Sequence, residues 1–511
     1  MTAYSELALP RTAPALLAAG LVVTAALLGL CVGVFGAGIG FLAVAALLPL
    51  LIILRDYRAG VLVLTMLLPV TPMLPQVKGL NPLNIVTILT LGSLFLREAF
   101  ATRRLVSLPR SLWLCLVLPA TWGIAIAWPH IPEGVRNYPE LVDASSLYEP
   151  WSYATARYAK PLFYYLSYAF LLSNAVRHSE RPDRFVLLLA AAMVLPSLAV
   201  FYTVGTYPGT LMDVSRDREF MAPRGLHANE FGMLLAAAAG PMLFLGGGAA
   251  TGMRRWTCRA AFALVTLALL LTFSRGGLTS WLVAVLGYLL HHRRLKTFLI
   301  SAFLTAVILV AAPESMKERF GTGLRANAIG DVSNIEKDDL TAGRVHGWML
   351  LAPEVLDSPW FGRGLGSTQW STAVAEGHYI ANHPHNIYLE ILMDLGLAGL
   401  CAIAWLWASH LRHLGRLARD TTLSSDMRMF FVGARWSFLG TLIMAATTAY
   451  YMPNTAQFPL WFCFGMALAR PSSDTERNRP QEHRARPAGA APLSRRVPVP
   501  GKSCRPAAPL N

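Results

Sequence analysis

Apolar runs of roughly twenty residues recur along the whole chain, each long enough to cross a hydrocarbon core about 30 Å thick. In that solvent every backbone N–H and C=O must find a partner within the protein, which leaves helices or a closed barrel. Barrel strands alternate in polarity and these runs do not, so the chain is expected to be an all-α polytopic membrane protein. Composition agrees: 14% of the residues are charged and 54% hydrophobic, whereas a soluble chain carries about 25% charged residues. Candidate spans lie at about 13–35, 38–54, 60–75, 83–96, 111–128, 159–175, 185–205, 228–246, 258–273, 276–290, 296–312, 386–409, 429–450 and 455–469. That makes about 12–14 transmembrane helices, the range set by the short runs at 83–96, 276–290 and 455–469. The first run lacks a strongly basic leader and reads as a membrane helix, not a cleaved signal.

A net charge of +15 could point to nucleic acid, but its distribution points to topology. With the N-terminus in the cytoplasm, the inner loops hold Arg55 and Arg58, then Arg97, Arg103, Arg104 and Arg110, then Arg177, Arg181 and Arg184. Further inner loops hold Arg254, Arg255 and Arg259, then Arg293, Arg294 and Lys296, then Arg412, Arg416 and Arg419. Every inner connection is basic, as the positive-inside rule requires, and both termini are expected in the cytoplasm. The outer connections at about 129–158, 205–227 and 311–385 are long, of mixed charge and rich in Trp, Tyr, Pro and Gly. The third is too long for a bare connector, so about 313–385 is expected to fold as a lid within a membrane domain spanning 1–470. It includes the acidic run Glu336-Lys337-Asp338-Asp339, which reads as a solvated surface. Residues 471–511 are basic and rich in Pro, and read as a disordered cytoplasmic tail that anchors topology or touches anionic headgroups. Six scattered cysteines show neither a zinc nor a disulfide spacing.

Chemistry, on this topology, belongs on the outer face. The segment Asn382-His383-Pro384-His385-Asn386-Ile387-Tyr388-Leu389-Glu390 brings the long outer loop into a helix. A histidine there can take a proton near neutral pH, and the positive end of the helix dipole favours the neutral imidazole that a base must be. The alternative is a pair of interfacial histidines that cap the helix. Gly396 and Gly399 are expected on one face of that helix, admitting a close neighbour.

In Phe273-Ser274-Arg275-Gly276-Gly277, a short outer turn holds an arginine between two apolar runs. Such a charge calls for an anionic partner, and a guanidinium fits phosphate in bidentate fashion. Snorkelling to lipid headgroups is the plainer reading. Arg224 precedes the run at 228–246 on the same face and could join Arg275 in clamping a diphosphate; Arg216 and Arg218 have acidic neighbours and read as local ion pairs. Asn229 and Glu230 read as helix caps. Arg344 and Arg363, in Gly343-Arg344-Val345-His346-Gly347-Trp348 and Gly362-Arg363-Gly364-Leu365-Gly366, are secondary candidates for phosphate or sugar contact, on a lid helix that ends in a Gly-rich turn. His383 and Asn386 are further secondary candidates beside His385. No set of metal ligands is evident in the sequence, and no metal or other cofactor is expected.

His385-Asn386, nine residues, then Gly396-x-x-Gly399 resembles the signature of the O-antigen ligase and O-antigen polymerase family of membrane glycosyltransferases. The Phe273–Gly277 turn, the stretch from Gly343 to Gly366 and, more loosely, Arg224 to Asn229 are similar to other blocks of that family, in the same order. The resemblance covers about residues 200–400. It implies a type-C-like glycosyltransferase fold in the bacterial inner membrane, with a periplasmic lid and active site. It also implies a glycan donor on undecaprenyl diphosphate, transfer to an acceptor hydroxyl such as that of lipid A core, and inversion without a metal or nucleotide. Carried over, His385 would be catalytic, and Arg275 and Arg224 would bind the donor diphosphate. The same blocks serve ligases, polymerases and protein O-oligosaccharyltransferases, and a secondary transporter is the alternative from another class. Partners are therefore the lipid-linked donor, the acceptor glycan and membrane lipid, with no nucleic acid.

Overall fold

The computed structural model describes residues 50–73, 81–100, 105–137, 153–210, 213–214, 220–221, 224–248, 252–293, 344–448 and 451–470. The candidate spans at 13–35 and 296–312, most of 38–54, the Arg216–Arg218 pair, the acidic run at 336–339 and the tail lie outside them.

Among the described residues the chain is helical, without strands. The principal helices are α1 (Tyr57–Leu67), α2 (Pro82–Phe100), α3 (Arg110–Ala127), α4 (Lys160–Arg177), α5 (Pro182–Gly205) and α6 (Ala228–Gly247). They continue with α7 (Gly252–Leu271), α8 (Arg275–His291), α9 (Arg344–Leu351), α10 (Ile387–Leu417), α11 (Ser425–Met444) and α12 (Phe458–Leu468). Each apolar run that falls within the described residues coincides with one of these. Among the described residues, five helical segments (α3, α5, α6, α10, and α11 extended to Thr447) are long and apolar enough to cross a membrane. The protein is a multi-pass membrane protein.

Helix α6 is the centre, packed against α7, α8 and α11, with 83% of its apolar window buried. Its sequence, ANEFGMLLAAAAGPMLFLGG, is small and apolar all round, the pattern of a helix enclosed on every side. Its neighbours meet it through glycine. A Cβ on Gly433 would stand 2.5 Å from the Gly240 carbonyl oxygen, and one on Gly277 2.9 Å from the Gly232 backbone. Backbones can come this close only without side chains, which replaces the hydrophobic drive that lipid does not supply. A second buried cluster joins α3, Tyr153, Tyr158, Leu365 and Trp370 to the first part of α10, and the candidate site borders it.

One sequence expectation is corrected here. Gly396 and Gly399 do not form a small-residue face on a continuous helix: α10 is broken at Gly396, which has φ 65° and ψ −167°. The break strands the carbonyls of Met393 and Asp394 and the amides of Leu397 and Ala398, which cannot go unpaired in this surrounding. The chain at 359–365 lies against the break as a strap and takes them up. Arg363 and Gly364 donate their backbone N–H to Met393 and Asp394 O at 2.7 and 3.0 Å, while Leu397 and Ala398 donate to Pro359 and Trp360 O at 2.8 and 3.0 Å. The Gly-rich stretch is therefore the part that fits a helix break. A Cβ on Gly362 would meet the Leu395 amide nitrogen at 2.3 Å, and one on Gly396 the Trp360 carbonyl carbon at 2.4 Å. Gly396→Ala must then pay for a φ/ψ combination essentially confined to glycine, about 1–3 kcal/mol, in addition to a backbone clash. The expected result is a clearly lowered melting temperature for the detergent-solubilised protein; an unchanged one would contradict this account of the break.

Candidate functional site

A cavity of about 510 Å³ opens where α6 and α10 begin, where α4 is entered, and beside the connection from α11 to α12. His383, His385, His227, Arg157, Glu230, Glu390 and Asp394 are among its lining residues.

The histidines are held by backbone geometry. Asn386 caps α10, its Oδ1 accepting from the amides of Tyr388 and Leu389 at 3.0 and 3.2 Å. The chain before it is pinned by residues of the segment 344–379: Trp348 Nε1 donates to Pro384 O and the Tyr379 hydroxyl to His383 O, both at 2.8 Å. His385 sits at φ 51°, in the left-handed region that a β-carbon disfavours, and its ring centroid lies 4.1 Å from that of His383. Such a conformation survives where surrounding contacts impose it, and here Asn386, Trp348 and Tyr379 do so. Burial, then the charges on His385, Arg157, His227 and Arg344, hold His383 well below the usual imidazole range. His383 therefore stays neutral at physiological pH.

The arginines are placed differently from one another. Arg275 begins α8 directly after Ser274, whose Oγ accepts from the Gly277 amide and bonds Asn229 Oδ1, both at 3.1 Å. Asn229 lines the cavity, so the turn abuts its wall, although Arg275 itself is not among the lining residues. Arg224 also lies just outside, one residue from lining Gly225. Its Nε donates to Thr203 Oγ1 at 3.0 Å and its guanidinium lies 4.9 Å from the Tyr202 ring centre. Arg344 begins α9 and is close enough to influence His383. Arg363 is engaged elsewhere: its guanidinium pairs with buried Glu354 and, at 3.5 Å, with Asp357, and burial lowers its pKa.

Several lining residues carried no role in the sequence reading. Arg157 lies in a π-helical turn, Thr155–Ala159, that leads into α4. Its signal was available, since an arginine in an outer connection is as poorly explained by topology as Arg275. His227 caps α6 by accepting from the Asn229 amide at 3.1 Å, and Glu230 completes the box by accepting from the His227 amide at 2.8 Å. Glu230 is thus a cap, as expected, and also faces the cavity. Glu390 and Asp394 stand one turn apart on the same face of an apolar helix, a spacing visible in the sequence. Asp394 accepts at Oδ1 from the Ser367 amide and hydroxyl, at 3.0 and 2.8 Å, and at Oδ2 from the Tyr451 hydroxyl at 3.3 Å. Among the described residues no three His, Cys, Asp or Glu side chains are grouped as a metal site.

No curated protein matches the chain. Residues 260–404 match the family model described as O-antigen ligase. That stretch runs from within α7 through the Arg275 turn, α9 and the strap to the broken part of α10. It holds His383, His385 and Asn386 but leaves out Arg157, Arg224 and His227. Over that segment, joined to the membrane helices described above, the chain is similar to the O-antigen ligase family.

Proposed function

We propose that the protein is an O-antigen ligase-type glycosyltransferase, moving a glycan from undecaprenyl diphosphate to an acceptor hydroxyl of lipid A core on the periplasmic face of the inner membrane. The observation that carries this reading is the cavity itself, which brings His383 and His385 together with Arg157 beside the Arg275 turn. Its volume, about 510 Å³, suits a sugar and a diphosphate headgroup and not a whole polymer.

The acceptor hydroxyl oxygen attacks the anomeric carbon as His385 takes its proton. The bond from that carbon to the diphosphate oxygen breaks, and the electron pair leaves with the diphosphate. One displacement inverts the configuration. Negative charge grows on the leaving diphosphate, and fixed arginines stabilise it more as the bond breaks, which lowers the barrier. Arg157 and Arg275 are assigned this work, with Arg224 supporting from behind Gly225 and Arg344 from the lid. Because these cations supply the positive charge, the step requires no metal. Residues 1–470 form the membrane domain, residues 471–511 a cytoplasmic tail, and the basic inner loops set both termini in the cytoplasm.

A broken helix with a buried carboxylate also occurs in transporters, where open carbonyls at the break meet an ion. Here the carbonyls of Met393 and Asp394 are taken up by the strap, which favours a fixed scaffold over an ion pathway. The test is transfer by the purified, reconstituted protein from a polyprenyl-diphosphate glycan, with and without a chelator. Product of inverted anomeric configuration at an unchanged rate is expected. No product, or product lost on chelation and restored by a divalent cation, would contradict the proposed chemistry.

A further inference from the structure

The lid carries an apolar surface that the site does not use. On one side of α9, Gly347 and Leu351 are buried, and Leu351 packs with Ala373 and Met393. On another, Val345 and Met349 are exposed by 39% and 63%, and Leu356, in the 3-10 turn Ala352–Asp357 that follows the helix, by 77%. Trp360 and Phe361 follow in the strap, exposed by 64% and 58%. A segment facing water would not present this run of large apolar side chains along a surface whose opposite side is already packed.

Its level in the fold identifies what covers it. The Trp360 carbonyl accepts from the Ala398 amide, at the start of the unbroken part of α10. The apolar part of α10 beyond the break, residues 397–409, rises about 20 Å before the basic residues from Arg412 onward, so in a hydrocarbon core about 30 Å thick Trp360 stands in the outer part, within about 10 Å of the headgroups. The Phe361 ring meets Trp122, within the α3 span, edge-on at 6.1 Å. Leu397, next to the break, is itself 43% exposed and continues the surface onto the membrane-facing side of α10. Aromatic residues at this level are those that favour the boundary between acyl chains and headgroups.

We infer that the Val345–Met349–Leu356–Trp360–Phe361 surface lies in the outer boundary of the phospholipid bilayer, so that the lid rests in the membrane interface and does not stand free in the periplasm. An in-plane apolar face of this kind sits about 5–10 Å into the headgroup and acyl boundary. Since the strap is bonded to both sides of the Gly396 break, the bilayer would then fix the height of the lid over the cavity mouth.

The full-length protein in phospholipid nanodiscs tests this with nitroxide labels on Leu356→Cys and Trp360→Cys, and on Glu376→Cys as an exposed control on the lid. Signal from the unmutated chain is subtracted for its own cysteines. Labels at 356 and 360 are expected to relax more with oxygen than with a water-soluble nickel complex, and the label at 376 the reverse. Nickel-dominated relaxation at 356 and 360 would overturn the inference. So would shielding from both reagents, which would place a second copy of the chain on this surface.

Discussion

His385→Ala abolishes transfer, lowering turnover by roughly 10²–10⁴-fold, the range that a positioned general base supplies. Protein abundance and thermal stability stay near wild type, because the cap that starts α10 is Asn386 and the anchors of the preceding loop are backbone carbonyls at His383 and Pro384. The unusual backbone provides a control. At φ 51°, glycine removes a strain that alanine keeps, so His385→Gly is expected to be at least as stable as His385→Ala and equally inactive. Rates are read with lipid-linked donor in detergent, and stability by thermal unfolding of the same preparations. Substantial turnover in the glycine variant would assign the chemistry to another residue and leave His385 a backbone element alone.

Arg275→Ala and Arg157→Ala each reduce turnover by about 10²–10³-fold, the effect of removing one fixed donor from a site where charge develops. Arg275→Lys recovers only part of the loss, since an ammonium keeps the charge but not the two-pronged fit to a diphosphate. The pair also separates the two arginines. Arg157 lines the cavity, so its loss is expected to raise the KM for donor as well as lower kcat. Arg275 stands behind Ser274 and Asn229, and its loss is expected to act mainly on kcat. Normal kinetics in both variants would remove the diphosphate clamp from the account.

What the sequence made legible follows from the solvent. Because unpaired backbone is excluded from hydrocarbon, each apolar run within the described residues had to be a helix, and each is. His385 and the Arg275 turn were visible for a related reason: ionisable residues at the ends of such runs have few structural uses. Gly396 was misread because its spacing from Gly399 is that of a helix-packing motif, while its true requirement is a left-handed φ answered by a strap some thirty residues earlier. Nothing local to Gly396 announces that partner. Asp394 is similar, since its acceptors are filled by Ser367 and Tyr451 from opposite sides in sequence. Arg157 differs, since its place in an outer connection marks it in the sequence as Arg275 is marked, but no motif around it points to the cavity it lines. Arg363 looked like a phosphate contact because of its glycines, but those glycines serve the break in α10, and its side chain serves Glu354.

The central claim is ligation to lipopolysaccharide core, and a lipopolysaccharide gel tests it most directly. Cells lacking the protein are compared with the same cells carrying the wild type or His385→Ala. Loss of the whole ladder in the null and His385→Ala lanes, leaving bare core while lipid-linked polymer accumulates, is the predicted result. Core bearing a single repeat would instead make the protein the polymerase, and an unchanged ladder in the null strain would contradict both roles.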